Sequence, residues 1–352
     1  METDPNVLPA KLHLGNAGLT RGVIANVAFR NFKALRNARV DLGAFNLVLG
    51  PNGSGKTSLI DALLHLRGLS QLSPVDEFVG LECDAPTLTF HFSAPHESTE
   101  VRLGCVGDVA CNALQVVSSG AASWSELRPL VSRIRSYTFD HNAMARPAKH
   151  RAGISEDLAP DGGNLAAVVG ALQDASPIKF SGLAAELLRL FPEFTAFNVR
   201  SGANQMMTLS FTLAGGAGLV EGDSVSQGML YTLAVLTLSL LPSPPTVVCI
   251  EEVDRGVHPR MLREIRDALY RLSYPASFGL ARPPVQVIAT THSPYLLDLF
   301  RDHPEEVIIS QKHGTSAQFQ RLSERADLAE ILQEGSLGDL WYSGILGGVP
   351  EP

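Results

Sequence analysis

The chain has 352 residues, enough for one large domain or two smaller ones, and 45% hydrophobic with 18% charged residues is ordinary for a soluble globular protein. The formal net charge of -8 argues against a protein that coats nucleic acid through a generally basic surface. The N-terminus lacks a charged segment followed by an apolar one, and no apolar run reaches the roughly twenty residues that span a bilayer. We therefore expect a cytoplasmic protein in which any DNA contact is local.

The cysteines are Cys83, Cys105, Cys111 and Cys249, which are scattered among apolar neighbours without paired CxxC spacing. This pattern predicts buried free thiols rather than a metal site or disulfides. Free thiols fit a reducing compartment.

The first third of the chain is predicted to form a strand-rich lobe over residues 22–125, after a loosely held leader over residues 1–21. Periodicity and turn-forming residues indicate strands over residues 23–32, 38–42 and 45–49, a helix over 56–66, and an antiparallel meander over 87–92, 101–103 and 110–117.

Residues 126–205 are predicted to form a basic and helical insertion, with helices over residues 161–172 and 177–190. Basic residues cluster over residues 128–151, where Asp140 is the only acid: Arg128, Arg133, Arg135, Arg146, Lys149 and Arg151. This cluster is interpreted either as an ordinary solvated surface or as a local DNA contact. No heptad repeat with charged flanks is sustained before residue 226, so a long coiled-coil arm is not expected.

The remaining chain alternates strands and helices through residues 206–325 and ends in a tail over residues 326–352. Strands over residues 194–200 and 206–213 precede an apolar helix over 226–241, and then a strand over 246–250, a helix over 259–272, a strand over 285–290 and a helix over 294–300. This βαβ rhythm predicts parallel strands beside the strand over 45–49, with ligands at their carboxyl ends. The fold class is therefore α/β, with a mixed and parallel sheet, an antiparallel β lobe and a small helical insertion.

Residues 50–57 read GPNGSGKT, between an apolar run and an amphipathic segment. This pattern is typical of a P-loop, whose glycines let successive N–H groups converge on a phosphate at a helix N-terminus. Lys56 brings charge to the β- and γ-phosphates of ATP, and Thr57 offers a hydroxyl to Mg²⁺. A glycine-rich turn without a ligand is the alternative. The predicted nucleotide-binding residues are Asn52, Gly53, Ser54, Gly55, Lys56, Thr57 and Ser58.

The apolar strand over residues 246–250 ends in Glu251 and Glu252. Beside Mg·ATP, one carboxylate holds the metal and the next polarises the attacking water. We assign Glu251 to the metal and Glu252 to the water, although such a strand end taken alone is more often a pair of solvated acids.

Two further segments gain meaning from their place in this order. His292 follows the strand over 285–290, where a neighbouring parallel strand brings it towards the γ-phosphate, whereas an isolated histidine there would only begin a helix. Ser226 and Gly228 lie at the start of an apolar helix, where a Ser cap and a glycine present free N–H groups to an anion.

The order of these motifs resembles that of ABC-class ATPases, in particular their SMC and RecF-like branch, whose prokaryotic members are often called AAA-family ATPases. IEEVDRGVHPR is similar to the Walker B and D-loop of the branch, VSQGM to its signature, and ATTHSPYLLD to its switch-histidine segment. DGGNLAAVVGAL and the tail GSLGDLWYSGILGG are also typical of it. The resemblance covers the chain from Val23 onwards, and we do not expect the extra nuclease (Toprim) domain of OLD-type relatives.

The resemblance implies a Mg²⁺-dependent ATPase that dimerises around ATP. Ser226 and Gly228 of one copy would close over the nucleotide held by the P-loop of the other, with Lys56, Glu252 and His292 as catalytic residues and Thr57 with Glu251 at the metal. Val253, Asp254 and Arg255 depart from the usual residues of the D-loop, as do Gln227 and Met229 in the signature. The sequence does not identify the Q-loop, for which Gln71 is a candidate, or the adenine contact, for which Phe32 and Lys33 are candidates.

The resemblance leaves the biological role open. One hypothesis is a DNA-linked ATPase in repair or phage defence, whose closed dimer holds duplex DNA against the basic residues 128–151. Another is an ATP-gated regulatory subunit of a separate nuclease or toxin that does not touch DNA. A transporter engine is disfavoured by the paired glutamates, the degenerate signature and the tail, and a small-molecule kinase by the order of the motifs.

Overall fold

The computed structural model describes residues 22–78, 85–107, 110–118, 124–150, 157–216, 218–314 and 316–347. The leader expected over residues 1–21, Cys83, Arg151 and the last five residues of the predicted tail (348–352) lie outside this set.

The strands in chain order are β1 (Ile24–Phe32), β2 (Leu35–Asp41), β3 (Phe45–Leu49), β4 (Thr87–Phe92), β5 (Thr99–Val106), β6 (Ala110–Ser118), β7 (Ile134–Tyr137), β8 (Ala148–Lys149), β9 (Phe194–Ser201), β10 (Met206–Leu213), β11 (Leu219–Glu221), β12 (Val247–Ile250), β13 (Gln286–Thr291), β14 (Val307–His313) and β15 (Ser316–Arg321). The α-helices are α1 (Lys56–Leu69), α2 (Trp124–Val131), α3 (His141–Ala145), α4 (Leu165–Ala175), α5 (Pro177–Leu190), α6 (Gln227–Leu240), α7 (Leu262–Ser273), α8 (Pro294–Asp298), α9 (Leu328–Glu334) and α10 (Leu337–Tyr342).

A six-stranded central sheet in the order β15-β14-β3-β13-β12-β7 organises the molecule. The strands β14, β3, β13, β12 and β7 run parallel, and β15 closes one edge in the antiparallel direction. The predicted parallel pairing beside the strand over residues 45–49 is confirmed, since β3 pairs with β13 and β13 with β12. The carboxyl ends of these strands therefore meet at one edge of the sheet.

Both faces of the central sheet are covered, which explains why its strands are apolar throughout rather than alternating. Successive side chains of a strand point to opposite faces. Leu47 and Leu49 accordingly belong to one core, with helices α4 to α8, whereas Val48 belongs to the other, with α1 and the antiparallel sheet. Val248 and Val247 of β12 divide between the two cores in the same way.

The strand-rich first lobe is an antiparallel sheet in the order β2-β1-β4-β5-β6, which confirms the predicted meander. One face of this sheet shares a core with α1 and with the central sheet. The helix that follows β3 is thereby clamped between two sheets.

The expectation of free thiols is wrong for Cys105 and Cys111, which form a disulfide across the β5–β6 hairpin. The hairpin register places these two residues directly opposite each other, a pairing that sequence spacing alone does not reveal. The expectation is confirmed for Cys249, a buried free thiol. The cysteine content therefore no longer argues for a reducing compartment.

The helical insertion consists of α4 and α5 packed on a small sheet in which β10 pairs with β9, β8 and β11. The predicted helix over residues 161–172 begins later, at Leu165, because residues 157–164 form a turn in which Asn164 Oδ1 accepts from the Ala159 N–H at 2.7 Å. One part of the predicted 126–205 lobe lies elsewhere: β7 pairs with β12 at the edge of the central sheet.

Two ion pairs fasten the insertion to α7, the helix that follows the paired glutamates. Arg271 bonds both carboxylate oxygens of Glu186 at 2.8 and 2.5 Å, and Arg189 bonds Glu264 at 3.0 Å. Only 15% and 12% of the Arg271 and Glu186 side chains are exposed. The bidentate geometry and the low exposure make this pair the stronger of the two.

The tail folds back on the central sheet and on the helix that follows His292. The Gly338 N–H donates to Asp298 Oδ1 at 2.7 Å, and a Cβ on Gly338 would lie 2.7 Å from the Pro294 carbonyl oxygen. Only a glycine allows α10 to approach α8 this closely. The tail thus stabilises the end of the sheet at which the predicted site residues lie.

Helices α1, α5 and α6, of fourteen residues each, are the longest among the described residues. In the same part of the chain, no helix combines the length and the apolar character needed to cross a membrane.

We predict that Arg271→Ala lowers the free energy of unfolding by about 3 kcal/mol, since it leaves the Glu186 carboxylate largely buried without its cation. Urea unfolding measures this change. Arg39→Ala is the matched control, because the pair of Arg39 with Asp41 is exposed by 59% and 58% and contributes at most about 1 kcal/mol. Equal losses in the two variants would contradict this account of the α5–α7 contact.

Candidate active site

The loop over residues 50–57 connects β3 to α1 with a backbone that requires glycine. Gly53 and Gly55 have φ angles of 75° and 99°, in the left-handed region that residues with a side chain avoid. Gly50 is confined for another reason: a Cβ there would lie 2.4 Å from the Ser310 carbonyl oxygen and 2.4 Å from Ser54 Oγ. The loop therefore has the tight curvature that brings backbone N–H groups together at the start of a helix.

Lys56 lies across this loop. Its Nζ donates to the carbonyl oxygens of Gly50 at 2.7 Å and Pro51 at 3.0 Å. Burial lowers its pKa to about 8, and the negative charge of Glu252 opposes this shift. The ammonium is therefore held inside the loop at low hydration, where an anion gains most from it.

The other residues predicted to bind phosphate fall into an exposed group and a buried group. Asn52, Gly53 and Thr57 are exposed, whereas Ser54 and Ser58 are buried. The exposed residues are positioned to meet a ligand. The side chains of the buried serines are shielded from a ligand, and the Ser54 carbonyl oxygen accepts a hydrogen bond from Ser310 Oγ.

Thr57 and Glu251 meet although they are far apart in sequence. The Thr57 hydroxyl donates to Glu251 Oε2 at 3.3 Å, and the Glu251 N–H donates to the Tyr137 carbonyl oxygen at 3.1 Å. Burial raises the pKa of Glu251, and the neighbouring charges of Asp61 and Glu252 add to that shift, while the bond from Thr57 opposes it. A cation beside these oxygens would relieve the excess negative charge.

This oxygen pair suits Mg²⁺, which keeps several waters and takes only one or two protein ligands besides substrate phosphates. Among the described residues, no group of three or more His, Cys, Asp or Glu side chains is arranged to hold a metal by itself. The donor set thus fits a metal shared with a phosphate, not a closed structural metal site.

Glu252 differs from Glu251 in both backbone and exposure. Its φ of 49° lies in the left-handed region, which costs a residue with a side chain on the order of 1 kcal/mol. The Glu252 N–H donates to Thr290 Oγ1 at 3.0 Å, which holds this conformation, and its side chain remains 54% exposed. Arg255 Nε lies 3.9 Å from its carboxylate. The turn directs the Glu251 carboxylate towards Thr57 and leaves the Glu252 carboxylate exposed beyond the end of the strand.

His292 follows β13 at the same edge of the sheet. Burial and then the positive charge of Lys56 lower its pKa, while Asp254 and Glu252 act in the opposite direction. The imidazole is therefore neutral at pH 7, within electrostatic range of both Lys56 and Glu252. The loop after β12 is fixed to this segment, because Thr291 Oγ1 donates to Asp254 Oδ1 at 2.5 Å.

The predicted signature begins α6 as expected. Ser226 is the N-cap, and its Oγ accepts from the Met229 N–H at 3.3 Å. A Cβ on Gly228 would lie 2.7 Å from the Gly256 carbonyl oxygen, so the start of α6 packs directly on the loop that follows Glu252. Within the described part of the chain, the hydrogen bonds of Ser226 and Gly228 stay inside α6.

The candidates for the Q-loop and the adenine contact differ in their distance from the loop and in their exposure. Gln71 follows the far end of α1, about 20 Å from Thr57 by the rise of a fourteen-residue helix, so it does not reach the loop. The Phe32 ring is fully buried against His65 and is not available for stacking. Lys33 is partly exposed and pairs with Asp61, one helical turn beyond Thr57.

Several residues at this edge escape the sequence analysis. Thr290 and Thr291 end β13 and hold the backbone of Glu252 and the side chain of Asp254. Ser310 and Lys312 belong to β14, which the sequence analysis leaves unassigned although Val307, Ile308 and Ile309 form an apolar β-branched run. That run is the signal that identifies the strand.

Residues 112–298, 187 of the 352 residues, match the protein family described as "AAA domain, putative AbiEii toxin, Type IV TA system". Residues 26–66 match a second family described as "AAA domain". A search of curated proteins found no matching sequence.

Solved structures of SMC head domains share the fold. The SMC head bound to the C-terminal winged-helix domain of ScpA is 14% identical, with a TM-score of 0.56, over 85% of this chain and 97% of the other. The SMC head domain of Pyrococcus furiosus with an extended coiled coil, bound to the C-terminal domain of ScpA, is 11% identical, with a TM-score of 0.55, over 89% and 100%. The SMC head domain of Pyrococcus yayanosii with a coiled coil and joint is 10% identical, with a TM-score of 0.52, over 89% of this chain and 99% of the other.

We predict that nucleotide affinity falls about tenfold between pH 7 and pH 9. Phosphates favour charged Lys56, and the free protein loses that charge as the pH rises through about 8, so binding at pH 9 must first take up a proton. Fluorescence titration with a labelled ATP analogue at constant ionic strength measures this dependence. Lys56→Arg, which keeps its charge throughout, should bind with an affinity that is flat over the same range. A flat profile in the unchanged protein would contradict the assignment.

Proposed function

We propose that this chain, which belongs to the AAA-domain family that it matches over residues 112–298 and shares the fold of SMC head domains, hydrolyses ATP with Mg²⁺. The contact between Thr57 and Glu251, beside Glu252, carries this proposal. In this proposal, the Thr57 hydroxyl and the Glu251 carboxylate serve the metal and the Glu252 carboxylate serves the water, beside the loop over residues 50–57.

In the proposed site, the N–H groups of residues 53–58 hold the phosphates of ATP, and the Lys56 ammonium leaves the Gly50 and Pro51 carbonyl oxygens to meet them. This exchange of partners keeps Lys56 bonded in both states. Binding also opposes the lowering of the Lys56 pKa by burial, because phosphates stabilise the ammonium.

Thr57 and Glu251 fit the positions that hold Mg²⁺, Thr57 directly and Glu251 through water. When bound there, the ion would neutralise part of the phosphate charge. Glu252 then orients and polarises the attacking water, since its carboxylate is exposed and its backbone is fixed by Thr290. Neutral His292 donates a hydrogen bond towards the γ-phosphate.

A second copy of the chain completes this site in our proposal. Ser226 is exposed and caps a helix whose free N–H groups suit a phosphate, yet its hydrogen bonds stay within its own helix. ATP bound between the P-loop of one copy and the Ser226 and Gly228 segment of the other would hold the two together. Hydrolysis would then reopen the pair and act as a conformational switch.

The biological role that we propose is DNA repair or phage defence in the cytoplasm. The family description, which names a toxin of a toxin–antitoxin system, supports the defence role. It equally supports the alternative, an ATP-gated regulator of a separate nuclease or toxin that does not touch DNA.

The basic cluster is smaller in the structure than in the sequence. Arg133 donates to the carbonyl oxygens of Ser243 and Pro244 at 2.8 and 2.7 Å, and Arg135 pairs with Asp157 at 2.9 Å. Arg133 and Arg135 are therefore structural residues and unsuitable probes of DNA contact. Arg146 and Lys149 are exposed and remain the candidate DNA contact.

We predict that Glu252→Gln lowers kcat about 100- to 10,000-fold, the range of a lost general base, because the amide cannot take up the proton of water. ATP affinity should be retained, since the phosphate-binding groups are unchanged. With saturating Mg·ATP, light scattering should show twice the monomer mass.

Glu334→Gln, which changes an exposed acid on α9, is the matched control and should behave as the unchanged protein. A Glu252→Gln variant that hydrolyses ATP at the unchanged rate would refute the role of Glu252. One that stays monomeric would refute the sandwich.

We predict that duplex DNA stimulates ATP hydrolysis, and that this stimulation fades between low and moderate salt because phosphate contacts release counterions. Exchanging both Arg146 and Lys149 for Glu should abolish the stimulation and leave basal hydrolysis unchanged. Lys179→Glu, at an exposed position of α5, controls for a charge reversal away from the candidate DNA contact. A rate that does not respond to duplex or single-stranded DNA would favour the protein-partner alternative.

A further inference from the structure

β14 forms a wall beside the phosphate-binding loop. It runs parallel to β3 with Val307 opposite Leu47 and Ile309 opposite Leu49, so its next residues lie alongside the loop itself. Ser310 confirms this contact, because its Oγ donates to the Ser54 carbonyl oxygen. The strand therefore continues past β3 and reaches the ligand side of the loop.

Lys312 lies two residues beyond Ser310. Since residues two apart on a strand share a face, Lys312 projects to the same side as the Ser310 hydroxyl that bonds the loop. Its Nζ lies 3.9 Å from the position that a Cβ on Gly53 would occupy. The ammonium is therefore adjacent to the exposed tip of the loop.

Lys312 differs from the other two lysines near the loop, Lys33 and Lys56, in the partners of its ammonium. Lys33 pairs with Asp61, and Lys56 donates to two carbonyl oxygens of the loop. For Lys312, no ion pair or side-chain hydrogen bond exists within the described ranges. The Lys312 residue is exposed, so its four-carbon stem is free to reorient.

Negative charge beside the loop would favour a second cation there when a nucleotide binds. Glu251, Glu252 and Asp61 add negative charge on the other side of the loop, and burial makes the ammonium of Lys56 costly. ATP would bring several more negative charges into this space. Gly53 has no side chain, and apart from its chain neighbours Lys312 Nζ is the one described atom within 4 Å of the position that its Cβ would occupy, so the tip of the loop is open towards Lys312.

We infer that Lys312 is a second phosphate-binding lysine of this site, which reaches over Gly53 from β14 to a phosphate of the nucleotide held by residues 50–57. The inference rests on the proposed ATP binding and extends it to a residue outside the P-loop. Lys312 acts on binding: it lowers Kd and KM and leaves kcat little changed, since Glu252 and His292 lie after β12 and β13, on the other side of β3.

Exchange of Lys312 for Met tests this inference. We expect Lys312→Met to weaken the binding of a labelled ATP analogue about tenfold, the size of one charge-assisted hydrogen bond, with kcat within about twofold of the unchanged protein. Lys312→Arg should restore affinity to within about threefold. The dependence of Kd on salt should be shallower for Lys312→Met, because one charge contact is lost. Lys179→Met, at an exposed position of α5, is the matched control.

Each outcome has a separate meaning. If the unchanged protein and Lys179→Met bind the analogue and Lys312→Met binds it equally well, Lys312 has no part in the site and the inference is wrong, while the proposed function stands. A loss of affinity accompanied by a lowered melting temperature, and not restored in Lys312→Arg, would assign Lys312 a structural role and also overturn the inference. If the unchanged protein does not bind the analogue, the proposed function fails and the inference fails with it.

Discussion

The parallel pairing of β3 with β13 and of β13 with β12 is the constraint on which the rest of the structure depends. Parallel strands end at the same edge, so this pairing alone brings together the loop after β3, Glu251 and Glu252 after β12, and His292 after β13. The two cores on either face fix the three strands against each other. Among the described elements, α1 and α6 cover the faces of this sheet, and Thr290 and the tail fasten the loops at its edge.

The edge of the sheet concentrates features that lower stability. Lys56 is held charged against the cost of burial, Glu251 lies among other acids, and Glu252 adopts a left-handed backbone. Such strain persists only where the surrounding structure over-determines it. Here the hydrogen bonds from Glu252 to Thr290 and from Thr291 to Asp254 supply that restraint. In the proposed function, phosphates offset the cost of burying the Lys56 charge and a cation offsets the excess negative charge at Glu251, so ligand binding would also stabilise the fold.

The sequence predicts those parts of the fold and site whose signals are local. The curvature at Gly53 and Gly55, the Ser226 cap and the apolar runs of β3, β12 and β13 are each visible within a few residues, and the structure contains all of them. The sequence does not predict features that depend on residues far apart in the chain. Tyr137 belongs to the central sheet only because β7 pairs with β12. Cys105 lies opposite Cys111 only because of the register of the β5–β6 hairpin. Arg133 looks like a surface cation until its carbonyl partners are known. Lys312 gains significance only when β14 is placed beside β3.

A crystal structure of the Glu252→Gln variant with ATP and Mg²⁺ would test the central claim most directly. We expect the phosphates on the N–H groups of residues 53–58, the metal between Thr57 and Glu251, the amide that replaces the Glu252 carboxylate facing the γ-phosphate, and Ser226 of a second copy above it. Nucleotide bound away from this loop, or a metal that does not contact Thr57, would contradict the assignment of the site. Nucleotide in the loop of a chain without a second copy across the γ-phosphate would contradict the sandwich.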